Sequence, residues 1–220
     1  MQHFDTPTAI TAVVEIPVGL IQITASERTD TTVEVAPSNP KKDRDRKLVE
    51  QTTVEYVDGV LRVVSPVKNQ LGNPGAIDVK VELPVGSKIQ AKAASGEFRT
   101  DGSLGEVAFE GAQGRIQVAD AAGGTFTLAA GDIAVGRLGG SATVSTQKGD
   151  IRIDEAVSGT LELSTQAGAI SVVAAEGVSA ALDAGTGYGR IANALKNTEG
   201  TPDLSIRAST SYGNIEARSL

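Results

Sequence analysis

Apolar and polar residues alternate along most of this chain, in short bursts punctuated by glycine. Ile77, Val79, Val81 and Leu83 are separated by Asp78, Lys80 and Glu82. A period of two puts one set of side chains on a buried face and the other in solvent, the mark of a β-strand. Val33-Glu34-Val35 reads the same way. Val54 and Tyr56, then Asp58-Gly59, then Leu61 and Val63 predict a β-hairpin, because Asp-Gly supplies the two positive φ angles that a tight hairpin turn needs. Lys41–Gln51 breaks the alternation and predicts one or two helical turns after a turn over Pro37–Pro40; Asn69–Pro74 reads as a loop. Val14-Glu15-Ile16-Pro17-Val18-Gly19 recurs as Val81-Glu82-Leu83-Pro84-Val85-Gly86, so each copy is expected to be a strand that turns at Pro-Val-Gly.

From Gly96 to Ile215 the chain repeats a glycine, any residue, then Ile or Phe: Gly96-Glu97-Phe98, Gly114-Arg115-Ile116, Gly131-Asp132-Ile133, Gly149-Asp150-Ile151, Gly168-Ala169-Ile170, Gly189-Arg190-Ile191 and Gly213-Asn214-Ile215. Successive glycines lie 18, 17, 18, 19, 21 and 24 residues apart. A period near 18 is too short for a helix pair or a propeller blade and matches two short strands with their corners. The first strand of each repeat offers inward pairs such as Ile116/Val118, Ile133/Val135 and Ile151/Ile153. The second offers Phe126/Leu128, Ala142/Val144 and Leu161/Leu163. The pattern predicts an all-β fold: a β-solenoid, like a parallel β-helix, of about 18 residues per coil. It is preceded by N-terminal strands and hairpins. An antiparallel β-sandwich or β-prism is the alternative. Residues 1–85 are expected to pack on or cap the solenoid of residues 86–220, making one continuous domain. The last two repeats, both with Tyr directly before the glycine (Tyr188, Tyr212), are longer, with a polar insertion over Asn193–Pro202. They are expected to finish the stack.

Composition narrows the chemistry. Hydrophobic residues make up 40% of the chain, but aromatics only 3% and Trp is absent, so Val, Ile, Leu and Ala must build the core. The net charge of −7 argues against holding a nucleic acid backbone, which takes a basic face. There is no Cys, which removes disulfides and thiolate metal sites. Met1–Asp5 shows no cationic region followed by an apolar run, and no stretch has the length of a membrane span. The expectation is a cytoplasmic protein that does not insert into membranes.

The Gly-Asp-Ile and Gly-Arg-Ile repeats, preceded by Val-Glu-Leu-Pro-Val-Gly-Ser, resemble the bacterial putative-adhesin family of β-strand-repeat domains. The opening Phe4-Asp5-Thr6-Pro7, the Val14–Gly19 segment and the closing Thr210-Ser211-Tyr212-Gly213-Asn214-Ile215 are especially similar to actinobacterial members. The resemblance implies a β-solenoid or β-prism of unknown function, with no assigned enzyme activity and no functional residues to carry over.

Few side chains suggest a site. His3 is the only histidine, so Ser-His-Asp, Cys-His and zinc centres lack their parts. The residues after the anchor glycines are predicted to face outward, and they supply most of a candidate interaction surface: Glu97, Arg115, Asp132 and Asp150, with Arg152 beside them. Asp132 and Asp150 would stack about 5 Å apart, a spacing compatible with Ca²⁺ only if carbonyl oxygens completed the shell; a solvated charged face is the simpler reading. On that reading Asp132→Ala should change stability by within about 0.5 kcal/mol. Tyr188 and Tyr212 are expected to stack at the last coils. Lys41–Lys47 reads as a solvated charged run. No catalytic residue, cofactor or metal is predicted. The functional expectation is a non-enzymatic scaffold or interaction module that presents a regular surface to a protein partner. The alternatives are a self-assembling end-to-end oligomer or filament and a carbohydrate-binding or carbohydrate-active solenoid.

Overall fold

The computed structural model describes residues 1–66, 75–197 and 200–220, and the loop expected over Asn69–Pro74 lies outside them. The chain is all-β, with one long mixed sheet and a single helix among the described residues, Asp43–Gln51. That helix falls where Lys41–Gln51 broke the strand alternation. It buries Leu48, and Asp45 accepts the Asn39 and Ala76 amides at 3.2 and 3.1 Å. The expected hairpin forms between Thr53–Val57 and Val60–Val64, with Asp58 at φ 50° and Gly59 at φ 78°.

Two parallel ladders run the length of the repeats. In the first, Ile116 pairs with Ile133, Ile133 with Ile151, Ile151 with Ile170, Ile170 with Ile215, and Ile215 with Ile191. In the second, Phe126 pairs with Val144, Val144 with Leu163, Leu163 with Ala208, and Ala208 with Ala184. A strand of the second ladder, an anchor glycine and the following strand of the first ladder make one rung. All the strand pairings among these rungs are parallel, and antiparallel pairing is confined to the N-terminal strands and the hairpin. The inward columns are dry: Phe98, Ile116, Phe126, Val144 and Leu161 are fully buried. Each rung covers its neighbour, so burial comes from stacking.

The corners are built from glycine because the backbones touch there. A Cβ on Gly96, Gly114, Gly131, Gly149 or Gly168 would lie 1.6–2.1 Å from a carbonyl oxygen of the rung below. Gly19 belongs to this column too, at φ 138° and in register with Gly96. Gly19-Leu20-Ile21 is therefore an additional anchor. The turn expected at Pro17-Val18-Gly19 does not form, because Thr11–Ser26 is one continuous strand that pairs along its length with Lys88–Asp101. Only the second copy turns, after Pro84 and with Gly86 at φ 75°.

Stacking order departs from chain order at both ends. Thr11–Ser26 lies between Lys88–Asp101 on one side and Val60–Val64 and Ile77–Pro84 on the other. At the far end, Leu204–Ser219 lies between Gly159–Ala174 and Ala180–Ala194. The last repeat in sequence is thus an interior rung, and the stack finishes on Ala180–Ala194. The other end is finished by antiparallel strands and the Phe4–Tyr56 ring pair, with centroids 5.6 Å apart. There Arg28 holds Asp30 through two bonds of 3.0 and 2.8 Å and also pairs with Glu82; the Arg28 hydrogen bond keeps the Asp30 carboxyl below its ordinary pKa.

Candidate functional site

The residues after the anchor glycines line one edge of the stack and, except for the half-buried Ala169, are exposed, but three of them carry structural work. Asp132 Oδ1 accepts the Asp150 amide at 3.0 Å, and Asp150 Oδ1 accepts the Ala169 amide at 2.7 Å. Asn214 Oδ1 does the same for the Arg190 amide at 2.9 Å. Each side chain ties its corner to the next rung. Glu97 turns instead to Arg99 at 3.1 Å. Arg152 projects from the outer face of the first ladder and pairs with Asp154. Among the described residues no three His, Cys, Asp or Glu side chains come together as a metal-binding cluster.

The corner bonds revise what Asp132 is worth. Asp132→Ala removes an acceptor that a backbone amide uses, and is expected to cost about 0.5–1.5 kcal/mol, more than a bare solvated carboxylate would. Asp132→Asn keeps the acceptor and should stay closer to the parent. Urea midpoints of the two variants check this; equal midpoints would show that the corner bond contributes nothing.

A column of threonines escaped the sequence reading. Thr146, Thr165, Thr210 and Thr186 each stand three residues before an anchor glycine and donate to the anchor carbonyl of the rung below: Gly131, Gly149, Gly168 and Gly213, at 3.3, 3.1, 3.0 and 2.9 Å. The signal was present as Thr-x-x-Gly in four repeats. It closes each corner from inside, as the Asp and Asn side chains do from outside.

Tyr188 and Tyr212 stack with centroids 5.1 Å apart and planes 4° from parallel, at the end of the molecule where Ala180–Ala194 is outermost. They are 71% and 61% exposed. Tyr212 is in register with Ala167 and, one rung further, Lys148, so the pair stands beside the corner edge at the stack end, while Arg152 lies on a ladder face.

The described depressions lie on another surface, the outer face of the second ladder. One of about 420 Å³ is lined by Gln90, Lys92, Ala108, Glu110, Thr125 and Thr127 among others. A second of about 390 Å³ is lined by Thr143, Glu162, Ser164, Asp183, Arg207 and Ser209 among others. They adjoin, because Thr125 pairs with Thr143 and Thr127 with Ser145. The floor is small and hydroxyl-rich. Charged pairs mark the face: Lys88–Glu106 at 3.2 Å, Lys92–Glu110 at 3.0 Å and Arg207–Glu162 at 3.5 Å. Outward Thr and Ser on strands look like ordinary solvent positions in a sequence. Only the register collects them into one strip.

A family model described as Toastrack DUF4097 matches residues 19–219. No curated protein matches the chain. Among solved structures it is similar to one described as a putative adhesin from Bacteroides fragilis, at 18% identity and a TM-score of 0.59, over 98% of this chain and 95% of that one. It is also similar to a putative cell adhesion protein from Clostridium sporogenes, at 14% identity and a TM-score of 0.43, over 100% and 98% of the two chains. A putative adhesin from Parabacteroides distasonis aligns at 14% identity and a TM-score of 0.46, over 98% and 95%.

Proposed function

The chain belongs to the Toastrack DUF4097 family, and from that premise we propose that it is a non-enzymatic β-solenoid of about 18 residues per coil that holds a protein partner along one face. The in-register Ile and Phe/Val columns support the solenoid reading. The strip formed by the two adjoining depressions carries the functional one: it is concave and it runs across successive rungs. Its chemistry suits recognition rather than turnover. Hydroxyls, one amide and paired charges accept and donate hydrogen bonds without a positioned base or nucleophile. A partner surface or extended segment laid across the rungs meets similar groups about every 4.8 Å, the spacing of neighbouring strands. Many weak contacts at fixed spacing then add up along the strip.

Photo-crosslinking amino acids at Thr127 and Ser164, compared with Gln117 and Arg152 on the first ladder's outer face, test this in native cells. The expected outcome is one protein captured from both strip positions and from neither control. Equal capture from both faces would count against the strip. A second reading, end-to-end self-association, is favoured by the open stack end, where Ile191 is 45% exposed while every other Ile of its column is buried. A constant mass across a concentration series removes it.

A further inference from the structure

The last two rungs have nearly interchangeable sequences, yet they stack in the reverse of their chain order. Leu182, Thr186, Tyr188 and Ile191 are matched in register by Ile206, Thr210, Tyr212 and Ile215. Either rung would therefore present a similar inward pattern to Gly159–Ala174. A sequential stack would place Ala180–Ala194 directly on Gly159–Ala174 and leave Leu204–Ser219 outermost. The inward positions of the two rungs differ at Ala180 against Leu204 and at Asn193 against Ala217.

We propose that these two rungs can exchange places, and that Asn193 and Asn214 set the observed order. Asn193 occupies an inward column. Val118, Val135, Ile153, Val172 and Ala217 pair in succession along it, all buried, and Asn193 follows Ala217 as the last member. In the sequential order Asn193 would sit between Val172 and Ala217, where a carboxamide loses its hydration with no polar side chain to bond to. In the observed order it stays exposed and accepts the Leu195 amide at 3.0 Å. The buried place goes to Ala217 instead.

Asn214 makes a second, independent choice at the corner. Its Oδ1 accepts the Arg190 amide, continuing the series begun by Asp132 and Asp150. In the sequential order Arg190 would follow Ala169, which has no side-chain acceptor, and Asn214 would follow Arg190, which has none either. The corner bond is available in one order only. Exchange would also change the open end of the stack. The observed end shows Asn193 beside Ile191; the exchanged end would show Ile215 and Ala217, an all-apolar pair of edge positions of the kind that invites pairing with another chain. The transposed rung thus makes the stack end more polar at this position.

The chain has no cysteine, so paired cysteines report the order directly. Glu162 pairs in register with Arg207, which pairs in turn with Asp183, and all three side chains are exposed. Neighbouring strands are about 4.8 Å apart, within disulfide reach, whereas positions two rungs apart, at roughly 9–10 Å, exceed the ~7 Å limit. E162C/R207C should therefore oxidise readily, and E162C/D183C at least about ten-fold less. Adding N193V and N214A should raise the E162C/D183C yield about ten-fold or more and lower that of E162C/R207C. N193V alone should move both yields in the same directions, and N193D should leave them at parent values, so a folding defect of the double variant does not decide the result. Unchanged yields in N193V and in the double variant overturn the proposal.

Discussion

Gly131→Ala is expected to destabilise the protein by about 2–6 kcal/mol, with backbone strain and a forced displacement each contributing about 1–3 kcal/mol. Gly131 sits at φ 136°, and a Cβ there would lie 1.7 Å from the Gly114 carbonyl oxygen. No rotamer relieves this, because the obstacle is the Gly114 backbone. The Gly114 and Gly131 rungs must separate, and separating them loosens the bond by which the Ile116 amide donates to the Asp132 carbonyl. A domain's whole stability is about 5–15 kcal/mol, so one methyl group at this corner threatens the fold. Gly177→Ala isolates the strain: Gly177 is at φ 78° and a Cβ would meet nothing within 4 Å. It should cost about 1–2 kcal/mol, the cost of a left-handed residue. Urea unfolding of both variants, with slopes compared so that the midpoints are commensurable, decides the matter. If Gly131→Ala is no worse than Gly177→Ala, the corners are not in the contact described.

The glycine column shows how far the sequence could be read. Gly-x-Ile spacing located the corners from Gly96 onward, and strand alternation located the inward pairs, since both are local consequences of backbone geometry. Gly19-Leu20-Ile21 obeys the same rule but was hidden by a neighbouring pattern: Pro17-Val18-Gly19 looks like Pro84-Val85-Gly86, which does turn. The difference is tertiary. Gly19 has Gly96 on one side and Ile77 on the other, so its strand continues, whereas Gly86 has no such pair of neighbours in the ladder. Rung order was illegible for a related reason. Two rungs with a similar inward pattern satisfy the same periodicity, and differences at single positions, such as Asn193 against Ala217, are averaged away in pattern reading. The candidate surface was read from a different signal. Charged corner residues drew attention because charge is conspicuous, yet Asp132 and Asp150 are spent on neighbouring amides. The hydroxyl strip drew none, because Thr125, Thr143 and Ser164 come from separate repeats and become neighbours only through parallel register.

Ile151→Ala should cost about 2–5 kcal/mol and Ile191→Ala less than about 1 kcal/mol, although the two occupy the same position of the repeat. Ile151 is 1% exposed, between Ile133 and Ile170, so truncation leaves a hole that rung-to-rung hydrogen bonds prevent from collapsing. Ile191 is 45% exposed and has Ile215 on one side only, so water fills what the side chain vacates. Position along the stack also sets how damage spreads. In a one-dimensional array an interior defect breaks the coupling between two halves, whereas an end rung frays alone. The informative member of the series is Ile215, at 1% exposure between Ile170 and Ile191. A stack that followed the chain would put Ile215 at the open end and Ile191 inside, and Ile191→Ala would then be the costly change. The observed order predicts the reverse: Ile215→Ala should resemble Ile151→Ala. Chemical denaturation of the three alanine variants therefore measures, from stability alone, which rung is outermost; a large loss at Ile191 with a small one at Ile215 would refute the inserted rung.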